Sequence, residues 1–136
     1  EEIYNNIKLP SRATMGSAGY DFYLPIDIKL EPNQIIKIPT GIRVSMNQDY
    51  VLTLYPRSSL GFKYRLQLNN TVGIIDSDYF FSGHIMAKIT NDTKQMNTLT
   101  LERGSAFMQG IFLEYGITID DDVEEIRNGG FGSTNK

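Results

Sequence analysis

Ile26-Asp27-Ile28-Lys29-Leu30, followed by Glu31-Pro32-Asn33, is the stretch on which the fold reading turns. Apolar and charged residues alternate strictly, the period of two that gives an extended chain one dry face and one wet face. The proline and asparagine then stop the run. Working outward, the pattern recurs in Gln34 to Ile38 and in Ile42 to Met46, separated by Pro39-Thr40-Gly41. It predicts further strands at Tyr50 to Tyr55, Tyr64 to Leu68, His84 to Thr90, Thr98 to Leu101 and Phe107 to Tyr115. Gly, Asn, Asp and Pro punctuate these runs at intervals of roughly 8 to 12 residues, the spacing of an all-β sandwich or barrel. No window carries a convincing amphipathic helix. Ser58 to Tyr64 predicts a single helical turn, capped by Ser58 or Ser59. With no internal repeat and no linker, residues 1–126 read as one β domain. Residues 127–136 read as a Gly-rich arm with one aromatic, Phe131, expected to stay mobile until something orders it.

Composition narrows the function. The chain has 136 residues, 40% hydrophobic and 21% charged, which is the balance of a folded soluble domain. No apolar run is long enough to cross a bilayer and no secretion signal is evident, so a cytoplasmic location is expected. The chain opens on Glu1, which leaves a trimmed leader open. There is no cysteine, which excludes disulfides and thiolate metal sites. The single histidine, His84, is too few for a His-based zinc site and disfavours a Ser-His-Asp triad. A formal net charge of −3 argues against nucleic acid as a partner. A small anionic substrate remains compatible, provided that arginines and a cation gather at one place.

Five patches carry chemistry, each weak alone. Ala18-Gly19-Tyr20-Asp21 opens a strand with a tight turn and a carboxylate. Pro56-Arg57-Ser58-Ser59-Leu60-Gly61 offers a guanidinium, two hydroxyls and a run of backbone N–H groups, the means of holding phosphate; a capped helical turn explains it equally well. Asn70-Thr71-Val72-Gly73-Ile74-Ile75-Asp76-Ser77-Asp78-Tyr79 reads as a β-hairpin holding Asp76 at a rigid, partly buried place, where a carboxylate can act as general base; a turn aspartate is the plainer alternative. Gln109 is the polar side chain in an apolar run that begins at Gly104, as a satisfied core glutamine would be. The last patch is Arg127-Asn128-Gly129-Gly130-Phe131-Gly132-Ser133-Thr134.

Their order and spacing together resemble the five motifs of the trimeric dUTPase family, from Ala18 to Thr134. The resemblance implies an all-β, jelly-roll-like subunit assembled as a homotrimer, with active sites between subunits and the arm closing a neighbour's site. It implies hydrolysis of dUTP to dUMP and pyrophosphate, which limits uracil in DNA and supplies dUMP for thymidylate synthesis. By the same likeness Asn70, Gly73, Ile75 and Met86 belong to the uracil and deoxyribose pocket. Tyr79 lies against the sugar where a ribose 2′-hydroxyl would clash. Asp76 polarises the attacking water. Arg57, Ser58, Ser59, Gly61 and Gln109 hold the phosphates, with Ser58 at the oxygen bridging the α- and β-phosphates. Phe131 stacks on uracil, while Arg127, Gly132, Ser133 and Thr134 reach the distal phosphates. Mg2+ is the implied cofactor, bound chiefly by phosphates and water, with Asp21 supporting its water shell.

The chain departs from the family pattern at three points. Tyr79-Phe80-Phe81-Ser82-Gly83 is two residues longer than the usual Tyr-x-Gly. Ala106 stands where the fourth motif usually has Arg. Arg127 lies one residue nearer the Gly-Gly-Phe than is usual. Two rival readings share the fold: a dCTP deaminase, which needs a glutamate beside the pyrimidine, and a non-catalytic nucleotide-binding regulatory protein.

Overall fold

The computed structural model describes Asn5 and residues 7–127. The chain runs β1 (Ser11–Arg12), β2 (Tyr20–Tyr23), β3 (Ile28–Leu30), β4 (Ile35–Pro39), β5 (Tyr50–Pro56), α1 (Ser58–Tyr64), β6 (Leu66–Leu68), β7 (Gly73–Ile75), a 3-10 turn (Ser77–Phe81), β8 (Met86–Asn91), β9 (Leu99–Leu101) and β10 (Ala106–Glu114). Three sheets result, in the orders β1-β2-β10-β5-β7, β3-β9 and β4-β8-β6. Every pairing among the described residues is antiparallel.

The alternation that marks the strands also builds the core. Ile28 and Leu30 are buried while Lys29 between them is exposed, and Leu30 sits opposite Leu99 in β9. The inner faces of all three sheets meet on side chains that are almost wholly hidden: Leu52, Phe107 and Met108 from the first, Leu30 and Leu99 from the second, Ile38, Leu66 and Ile89 from the third. Each such burial stabilises the fold by about 1.5–3 kcal/mol. Gly110 is required where β10 crosses this core, since a Cβ there would lie 2.9 Å from Leu52 and 3.1 Å from Phe22.

Three expectations are corrected. Ile42 to Met46 forms no ladder. Gly41, at φ 71°, turns the chain, and only a short exchange survives, with Thr40 N–H donating to the Ile85 carbonyl and Ile85 N–H to that of Ile42. The apolar spacing there records the burial of Ile42, not strand pairing. The helix spans Ser58–Tyr64 as expected, and because it takes Tyr64, the strand expected from Tyr64 begins only at Leu66. Its N-cap is Arg57 with no side-chain cap, and it ends at Arg65 in the left-handed region, whose N–H donates to Gly61. Nor is Asn70 to Met86 a hairpin. β7 pairs with β5, whereas β8 pairs with β4 and β6, so the segment crosses from one sheet to another through the 3-10 turn.

Asn91, the last residue of β8, ties the small sheet to the rest and is fully buried. Its side-chain amide donates to the carbonyls of Leu30 at 2.9 Å and Asn97 at 3.0 Å, and its oxygen accepts the Thr93 N–H at 3.2 Å. Asn91→Leu strands all three backbone groups in a dry place. It should lower the unfolding free energy by about 3 kcal/mol or more, read as the shift of the urea transition.

Candidate active site

The crossing segment forms the wall of a cavity of about 620 Å3. Gly73, Ile74 and Ile75 of β7 line one side, Met86, Ala87 and Lys88 of β8 with Lys37 of β4 the other, and Leu54, Leu68 and Met108 complete the apolar lining. β7 lies close against β5. A Cβ on Gly73 would stand 2.9 Å from the Leu54 Cβ, so a glycine is needed for the strand to pack at this depth. The loop before it is held tightly, with Thr71 N–H donating to Leu68 and Val72 N–H to Asn70, both at 2.8 Å. Thr71 itself has φ 70°, a conformation that a β-branched residue adopts at a cost of roughly 1–2 kcal/mol. The strands on either side impose it.

Asp76 follows β7 directly and opens the 3-10 turn, its carbonyl accepting the Tyr79 N–H at 3.1 Å. Both Asp76 and Tyr79 line the cavity. The carboxylate was expected partly buried; in the single chain it is 51% exposed, because the ladder ends at Ile75 and the turn carries it to the rim. Arg127 meets it there. The guanidinium is only 13% exposed, donates to Asp76, and donates to Asp78 through Nε at 2.7 Å. The hydrogen bond to Asp78 raises the pKa of Arg127 further, against partial burial, which lowers it; the charges of Asp78 and Asp76 add to the rise. In this conformation Arg127 is the counterion of the candidate base.

A second cluster lies on the same five-stranded sheet. Gln109 of β10 sits between Asp21 of β2 and Tyr55 of β5 in the register. Arg57, just past β5, places Nε 3.2 Å from Asp21 Oδ1, and Gln109 donates to the Pro56 carbonyl at 3.1 Å. Gly19 admits this contact, since a Cβ there would fall 2.5 Å from Gln109 Oε1. Ser58 and Ser59 are exposed on α1, beside Gly61.

The site residues read from the sequence therefore fall into two groups. Asn70, Gly73, Ile75, Asp76, Tyr79, Met86 and Arg127 share the cavity. Asp21, Arg57, Ser58, Ser59, Gly61 and Gln109 do not line it in the single chain. Phe131, Gly132, Ser133 and Thr134 lie outside the described residues.

Lys37 and Lys88 escaped the sequence reading. They stand directly opposite each other in the β4–β8 ladder and line the cavity, and neither meets a carboxylate among the described residues. A like-charged pair in that register is unfavourable unless an anion joins it, but their partnership is visible only once the register is known.

Among the described residues no three His, Cys, Asp or Glu side chains converge as a metal cage. Asp21 already shares its charge with Arg57. A divalent cation at this site would depend on substrate oxygens and water for most of its ligands.

Residues 5–135 match the model of the dUTPase family. The chain belongs to that family. The deoxyuridine 5′-triphosphate nucleotidohydrolase of Lactococcus lactis is 37% identical over 134 residues, covering 94% of this chain and 88% of the relative. The crystal structure of the dUTPase from Streptococcus mutans superposes with a TM-score of 0.74 at 37% identity, covering 86% of this dUTPase-family chain and 91% of the other. A mutant dUTPase from phage phi11 of S. aureus, which coordinates a structural Mg(II) ion, shares the fold at 23% identity, with a TM-score of 0.75 over 92% of this chain and 95% of that one.

Gly73→Ala tests the wall of the cavity. The added methyl must displace Leu54 or lift β7, and the variant should lose about 1–3 kcal/mol of stability by urea unfolding.

Proposed function

We propose that this chain hydrolyses dUTP to dUMP and pyrophosphate, with Asp76 orienting and polarising the water that attacks the α-phosphorus. The observation that carries this reading is the placing of one carboxylate, Asp76, at the rim of a nucleoside-sized cavity whose wall is a glycine-packed strand. A base must lie outside the pocket that holds the base and sugar yet within reach of the first phosphate, and the end of β7 meets both needs.

The remaining roles are proposed from the likeness to the dUTPase family. Asn70 and the backbone of Val72 to Ile75 face the pyrimidine edge and admit uracil in preference to cytosine or thymine. Tyr79 packs against the deoxyribose, with Met86 across the cavity. Arg57, Ser58, Ser59, Gly61 and Gln109 hold the phosphate chain, and Arg127 exchanges its contact with Asp76 for the distal phosphates when substrate arrives. Phe131 covers the uracil, and Gly132, Ser133 and Thr134 supply donors to the phosphates. Mg2+ neutralises phosphate charge when bound, and Asp21 orients its water shell. Charge is spread over the phosphoryl oxygens during transfer, so fixed donors account for most of the acceleration.

The active unit is a homotrimer, with the two groups of site residues brought together from different subunits. Two features favour this. The Asp21–Arg57–Gln109 cluster is outside its own chain's cavity. Beyond the core, residues 112–126 expose Phe112, Leu113, Tyr115, Ile117, Ile119, Val123 and Ile126, an apolar surface of the kind that subunits cover. No helix among the described residues is long and apolar enough to cross a membrane. The location we propose is the cytoplasm. A dCTP deaminase is disfavoured because residues 70–86 contain no glutamate. A purely regulatory protein is disfavoured because Asp76 and the Gly-rich motif are both retained.

Asp76→Asn should bind dUTP as the parent does and release pyrophosphate at least about 10²-fold more slowly. Normal turnover would remove Asp76 from its role. Pyrophosphate release with dUTP, with and without Mg2+, separates hydrolysis from both rivals; ammonia from dCTP would establish the deaminase instead.

A further inference from the structure

The residue expected to read the sugar, Tyr79, sits on the 3-10 turn. The 3-10 turn Ser77–Phe81 buries none of its side chains fully, and it includes the lengthened stretch after Tyr79. Besides Arg127, which donates to Asp78, two residues outside the cavity hold it. Arg43 donates to the Phe80 carbonyl from Nε at 2.9 Å and from a terminal nitrogen at 2.6 Å, with its guanidinium 4.2 Å from the centre of the Phe80 ring. The carbonyl of His84 accepts the Tyr79 hydroxyl at 2.9 Å, while its ring Nδ1 accepts the Gly41 N–H at 3.1 Å. Gly41 presents that N–H by adopting φ 71°. The segment 41–43 thus grips the turn at both ends of Tyr79: Phe80 through Arg43, and His84 through Gly41.

We infer that Arg43 and His84 are positioning residues that fix Tyr79 and thereby set discrimination between deoxyribose and ribose. Neither lines the cavity assigned to the base and sugar. The inference rests on the proposed role of Tyr79 as the group that excludes a 2′-hydroxyl. Steric exclusion fails when the excluding ring can move aside, and a ring on a freed turn can. Arg43 acts through a two-pronged planar contact with stacking, which a lysine does not reproduce. His84 acts through an acceptor at Nδ1, which an asparagine Oδ1 reproduces at similar reach.

The test measures kcat/KM for dUTP and for UTP, with melting temperatures, in the parent and in Tyr79→Ala, Arg43→Ala, Arg43→Lys, His84→Leu and His84→Asn. Arg43→Ala and His84→Leu should each narrow the preference for dUTP by roughly tenfold, the scale of losing a hydrogen bond made by a charged or well-fixed group. Arg43→Lys should resemble Arg43→Ala, and His84→Asn should restore the parent ratio. Loss of stability alone would depress both substrates together and leave the ratio unchanged, which would overturn the inference. Tyr79→Ala separates the two levels. If it leaves discrimination intact, the steric reading of Tyr79 falls; if it relaxes discrimination while Arg43→Ala and His84→Leu do not, that reading stands and the positioning role falls.

Discussion

β5 lies between β10 on one side and β7 on the other, in antiparallel register with both. On the β7 side Leu54 sits opposite Gly73, and the absence of a Cβ there lets the strand settle against the leucine. On the β10 side Tyr55 sits opposite Gln109, which in turn faces Asp21 across the next pairing. A slip of one residue in this strand would turn Leu52 and Leu54 out of the core and carry Gly73 away from the one side chain it is shaped to meet. The same slip would move the exit of β5, and with it Arg57 and α1. Both halves of the candidate site are hung from this one register.

The strands themselves were legible because burial on one face leaves an alternation in the residues. Lys29 between Ile28 and Leu30 is the clearest case. What alternation cannot carry is the identity of the partner. The segment from Asn70 to Met86 has the look of two paired strands, yet its halves belong to different sheets. Ile42 to Met46 has the spacing of a strand because Ile42 is buried, while the left-handed Gly41 deflects the chain from any ladder. Asn91 was passed over because its burial depends on a partner 61 positions away, the Leu30 carbonyl, which nothing in the neighbouring sequence marks. For the site, the motifs located the residues that gather at the cavity, Asp76 and Tyr79 among them. They did not point to Arg43, Lys37 or Lys88, whose places depend on contacts across some 37 to 51 positions of chain.

Charge is distributed unevenly in this mildly acidic protein. The cavity collects Lys37, Lys88 and Arg127 around a single lining carboxylate, Asp76. Arg127 is tied to Asp76 and Asp78, whereas the two lysines face each other. A polyanion entering such a place meets donors already oriented, so little rearrangement of solvent is needed as negative charge moves during the reaction. Asp21 and Arg57 hold each other in the same manner on the neighbouring surface. In both pairs a guanidinium fixes the direction of a carboxylate, which matters more for geometry than for the modest stability that partly exposed ion pairs provide.

The row of uncovered apolar side chains from Phe112 to Ile126 has a consequence for how the molecule endures dilution. In the proposed assembly those side chains leave water only when three copies meet, so part of what keeps each copy folded is supplied by mass action. Thinning the solution would then loosen the architecture and dismantle the shared catalytic chambers in a single event. Durability and competence would rise and fall together with the amount of protein present.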